Sequence, residues 1–148
     1  SSNELKSSKP LGIADVSGFD FAKEMLAGNP TSGINFDRLQ KHPKKGYIIF
    51  EYLLCDEKQS VTPFTSHPKN YWNKNSRKFI SLWRVAKDLN ATLYLVNYAK
   101  KGALHEDKVL LIKVIELDGA GIKREQQTKM TREEFKEFFS KLNLECLR

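Results

Sequence analysis

Cysteine is nearly absent: Cys55 and Cys146 are the only two among 148 residues. So few thiols allow one disulfide at most. Cys55 closes an apolar run and Cys146 lies close to the C-terminal end, so two reduced thiols in a cytoplasmic protein are expected. Histidine is also scarce. His42, His67 and His105 stand at no metal-ligand spacing with one another or with the cysteines, which argues against zinc. No apolar stretch reaches the roughly 18 residues of a membrane helix, and no secretory leader is read at the start, so no membrane partner is expected. The glycines form no phosphate-cradling pattern, since Gly119-Ala120-Gly121 follows an apolar run without opening a clear helix. No Ser-His-Asp or Cys-His arrangement can be argued from spacing.

What the chain does have is positive charge, a net +7, and it is unevenly spread. Between Lys41 and Lys78 eight Lys or Arg face three acids, interleaved with Tyr47, Phe50, Tyr52, Phe64, Tyr71 and Trp72. A basic surface with aromatics is the footprint expected of a nucleic-acid partner, the plain alternative being a solubilising face. Lys44, Lys45, His67, Lys69, Tyr71, Trp72, Lys74 and Arg77 are the candidate contacts.

Residues 1–12, rich in Ser and Lys without periodicity, read as a disordered lead-in to a single domain over residues 13–148. A short helix is expected over Ser17–Ala27, capped by Ser17 or Asp20 and stopped at Gly28-Asn29-Pro30. Candidate strands follow at Gly33–Gln40 and Gly46–Glu57, then a long polar loop over residues 58–75. A helix begins near Ser76, with Phe79, Leu82, Trp83, Ala86 and Leu89 on one buried stripe. Ala91–Ala99 and Val109–Leu117 are the strongest strands, expected as central antiparallel neighbours. Thr131-Arg132-Glu133-Glu134 is a capping box that opens a last helix, with Phe135, Phe138, Phe139 and Leu142 inward. The order predicts an α+β fold, an α/β sandwich with a central mixed sheet of four to five strands flanked by helices.

Within the run Tyr47–Cys55 one residue is charged, Glu51. The run is apolar on both alternating faces, which marks a buried strand, and a buried carboxylate is costly without a cation, a metal or hydrogen-bond donors. Residues 42–46 read as a turn. Antiparallel pairing about Lys44 sets Asp37 opposite Glu51, with Cβ atoms about 5 Å apart, close enough to share one hard divalent cation. A structural pairing of either acid with Arg38, Lys45 or a helix residue is the alternative.

An acidic helix residue (Glu24), a strand Asp (Asp37), Glu51 in an apolar strand, a helix and then an apolar strand form an order that resembles the PD-(D/E)XK nuclease-like fold. The resemblance covers about residues 17–99. It implies Mg²⁺- or Mn²⁺-dependent phosphodiester hydrolysis, with Asp37 and Glu51 as metal ligands and Glu24 as accessory. The family's lysine two positions after the acidic residue is Leu53 here, and Phe36 rather than Pro precedes Asp37. The resemblance therefore implies a lysine supplied from the next helix, Lys78 or Lys74, as the catalytic cation. A non-catalytic nucleic-acid-binding module using loop 58–78, and a protein-interaction or regulatory domain, are the other two function classes the sequence admits.

Overall fold

Strand β2 (Gly46–Leu54) is apolar on both faces because helices cover both. The computed structural model describes residues 16–56 and 60–147. The lead-in expected over residues 1–12, and Lys58 at the head of the basic loop, lie outside the described residues. In chain order the elements are α1 (Ser17–Leu26), β1 (Arg38–His42), β2, a 3₁₀ turn (Pro68–Tyr71), α2 (Trp72–Asp88), β3 (Thr92–Tyr98), β4 (Lys108–Asp118), β5 (Gly121–Thr131) and α3 (Arg132–Cys146).

The fold is α+β: a five-stranded mixed sheet in the order β1-β2-β3-β4-β5, with helices against it. Neighbours are antiparallel except β2 and β3, which run parallel. Parallel strands need a crossover, and α2 supplies it. Ile49 and Leu53 of β2 join Leu93 and Leu95 of β3 and Leu110 and Ile112 of β4 beneath Phe79, Leu82 and Ala86 of α2. Ile48 and Phe50, on the opposite face, meet Val96, Val109 and Leu111, covered by Leu142 with Phe135, Phe138 and Phe139 of α3. The capping box that opens α3 is complete: Glu134 N–H donates to Thr131 Oγ1 at 3.0 Å and Thr131 N–H to Glu134 Oε1 at 2.8 Å.

Several expectations are corrected. β5 has no apolar run, and it forms because an edge strand needs only one backbone partner, β4. Helix α2 starts at Trp72 rather than Ser76, and Trp83 is only half-buried on its stripe, beneath the Lys87 ammonium. Leu89 is exposed rather than inward. β1 begins at Arg38, so Asp37 stands just before the strand. Helix α1 stops as expected, with Ala27 and Gly28 at positive φ, but its N-cap is Val16 without a side-chain cap and it buries none of its residues.

Candidate active site

β1 and β2 pair with Arg38 opposite Phe50 and His42 opposite Gly46, the register that pivots on Lys44. Asp37 is the residue just before the first pair of this ladder, as Glu51 is the residue just after it. Asp37 Oδ2 accepts the Tyr52 N–H at 2.8 Å, which ties the carboxylate to β2 beside Glu51. Glu51 alternates with Ile49 and Leu53 and so points to the α2 side of the sheet, where it is 4% exposed. Lys78 comes down from α2 to place Nζ 3.7 Å from Glu51 Oε2.

The Glu51 carboxyl is pushed up from 4.5 to about 8, first by burial and then by a hydrogen bond shared with the Asp37 carboxyl, against the pull of Lys78. Two carboxyls can share a hydrogen bond only if one carries a proton. Burial and the neighbouring Asp37 carboxyl thus both favour the neutral form of Glu51.

Asp37, Glu51, Arg77 and Lys78 line one open cleft of about 690 Å³. Ser81, one turn beyond Arg77 on the same helix face, lines it too, and residues 30–35 form the facing wall. Sequence reasoning passed over both. The Ser81 position followed from i,i+4 spacing, whereas residues 30–35 are irregular and carry no periodicity to read. Among the described residues no group of three or more His, Cys, Asp or Glu side chains could hold a metal ion. Two carboxylates with water or substrate oxygens completing the shell are a donor set suited to Mg²⁺, which is commonly held by one or two carboxylates plus phosphate.

The remaining expected residues are not gathered there. Glu24, on exposed α1, does not line the cleft. Lys74 is exposed one helical turn before Lys78. Lys44 and Lys45 sit in the β1–β2 turn, their N–H groups donating to His42 Nδ1 at 3.1 and 3.0 Å. At about 3.3 Å per strand residue they are roughly 20 Å from Glu51. His67 is committed elsewhere: Nδ1 accepts the Lys69 N–H at 3.0 Å and Nε2 meets Glu125 on β5 at 2.7 Å. That is three strands from β2, roughly 15 Å at the usual strand spacing.

Trp72 and Tyr71 are corrected as base-stacking candidates. Trp72 is 8% exposed. It stacks on Phe79 at 5.5 Å and donates Nε1–H to Gly119 O at 3.1 Å. Tyr71 is half-buried against the same core, its hydroxyl pushed up to about 12 by burial. The long loop is pinned rather than free at this point, because Asn97 Nδ2 on β3 donates to Pro63 O and Ser66 O at 3.2 and 2.6 Å.

Both cysteines are free thiols, and no described helix is long and apolar enough to cross a membrane. Comparison with models of known protein families, with curated proteins and with solved structures found no match.

Proposed function

We propose that the protein is a divalent-metal-dependent phosphodiesterase acting on nucleic acid, with the nuclease-like arrangement that its element order resembles. One observation carries this reading: Asp37, Glu51 and Lys78, from three separate segments, meet in one cleft with Arg77 beside them. Asp37 and Glu51 would hold Mg²⁺ or Mn²⁺, which when bound would neutralise charge on a phosphodiester's oxygens. Lys78 Nζ would meet the negative charge that develops on the phosphate, and Arg77 would grip the scissile or a flanking phosphate. Lys78 would take the role that Leu53 cannot, a reading supported by α2 lying over the face of β2 that Glu51 occupies.

A non-catalytic module reading through the basic aromatic loop is weaker, because Trp72 is in the core and His67 is held by Glu125.

The test is thermal and enzymatic together. A ligand that binds only the folded state at a hundred times its Kd stabilises by about 2.7 kcal/mol. Mn²⁺ should therefore raise the Tm of the wild type and not of Glu51→Gln, and only the wild type should cut DNA or RNA. Cleavage that survives in Asp37→Asn/Glu51→Gln sinks the proposal.

A further inference from the structure

Helix α1 is 10 residues long, carries Gly18 near its start and has no side-chain cap. In water a helix shorter than about 12–15 residues is marginal on its own, and helices in proteins gain most of their stability by packing an amphipathic face. Yet α1 buries none of its residues, and among the described residues neither core cluster includes one of its side chains.

The face that would pack is plain from the spacing. Gly18, Phe21 and Met25 form one apolar ridge at i, i+3 and i+7, and Phe19, Ala22 and Leu26 form the next. Ser17, Asp20 and Glu24 line the other side. Phe19, Phe21 and Met25 are 68, 63 and 58% exposed. Val16, just before the helix, and Ile34 and Phe36, in the segment that leads to β1, are exposed too. Large apolar side chains exposed together on one short segment mark an interaction surface rather than ordinary scatter.

Charge and area narrow the occupant. The helix carries two acids, Asp20 and Glu24, against one Lys23. Helices that lie on membranes have polar faces rich in Lys and Arg, and a net negative helix repels phosphate. The fitting partner is therefore protein. At their exposures, Val16, Phe19, Phe21, Met25, Ile34 and Phe36 present roughly 600–700 Å² between them. A standard interface takes roughly 800 Å² from each partner, and the polar residues beside them would supply the rim. An apolar ridge complements its own copy, as a twofold contact requires.

We propose that the apolar face of α1 is covered by the same face of a second copy of this chain, in a twofold dimer. The inference goes beyond the phosphodiesterase reading and does not rest on it. Residues 30–35, which wall the cleft, follow α1 directly, so docking of the helix would anchor the chain just before that wall.

Sedimentation equilibrium of the full chain at micromolar concentration reads the contact. The wild type should run at twice its 17.0 kDa chain mass. Phe21→Gln/Met25→Gln should raise the dimer Kd about a hundredfold or more, the loss expected when two apolar anchors leave each side. Asp20→Asn/Glu24→Gln, on the polar side of the helix, should leave it unchanged. Circular dichroism that keeps the sheet signal will show that the variants fold.

A monomeric wild type overturns the inference, the face being then covered by other residues of its own chain or kept for a different protein. So does a dimer that Phe21→Gln/Met25→Gln leaves intact, or one that the polar-side variant disrupts equally.

Discussion

Lys78 Nζ sits 3.7 Å from Glu51 Oε2, yet the two side chains differ sharply in access to water, 43% exposed for the lysine and 5% for the carboxyl. A buried acid and a half-open cation at that distance suit a task at the surface better than stability, since such pairs seldom repay desolvation. If Asp37 and Glu51 hold metal as proposed, Lys78→Met removes the cation beside Glu51 and the charge proposed to steady the phosphate. Cleavage should fall about 10²- to 10³-fold, as for loss of a preorganised donor. Mn²⁺ binding, followed by calorimetry, should hold or tighten. Glu51→Gln should lose both, and a Lys78→Met protein that keeps full activity would remove Lys78 from the mechanism.

Glu51 makes the metal-free protein sensitive to pH in a direction that can be worked out. Its carboxyl is raised from 4.5 to about 8, mainly by burial, so the folded state keeps a proton that the unfolded chain releases. The stability this group contributes is complete below about pH 4.5 and is lost as pH rises through about 8. Denaturant melts of wild type and Glu51→Gln in chelator should run parallel at low pH. They should then separate in favour of the glutamine variant up to about pH 8. Parallel curves across the whole range would mean that Glu51 ionises normally.

Trp72 and Trp83 should divide in stability rather than in binding. Trp72 is 8% exposed, stacked on Phe79 and bonded to Gly119. Trp72→Ala should cost about 3–5 kcal/mol, the usual loss for a large buried aromatic. Trp83, half-buried under Lys87, should cost clearly less. Urea melts rank the two, and the reverse order would contradict the packing described for α2.

What the sequence made legible follows the strength of its periodicities. β2, β3 and β4 could be read because each is a continuous apolar run, and the register of the first hairpin because a single turn about Lys44 fixes it. That register placed Asp37 beside Glu51, and the stripe on α2 left Lys78 free to reach it. β5 stayed hidden because Lys123, Arg124, Glu125, Gln126 and Gln127 show no apolar period, and only backbone pairing with β4 makes them a strand. The basic loop misled because composition cannot say which way an aromatic points. Trp72 turned inward once α2 began four residues early, and the positive charge that looked like one patch divides between the β1–β2 turn, the cleft and the β5 side.

That division gives the electrostatics a spatial test. If nucleic acid runs along α2, Lys74 and Arg77 each neutralise a phosphate, whereas Lys44 and Lys45, roughly 20 Å from Glu51 by strand rise, neutralise none. For each phosphate no longer neutralised, the slope of log affinity against log salt should flatten by about 0.7 on a single strand and about 0.9 on a duplex. Lys74→Ala/Arg77→Ala should therefore reduce the single-strand slope by about 1.4, and Lys44→Ala/Lys45→Ala should leave it unchanged. All four side chains are exposed, so neither variant should unfold the protein. Anisotropy titrations at several salt concentrations read both slopes directly. A larger effect from the turn pair than from the helix pair would move the nucleic-acid path off α2 and onto the hairpin.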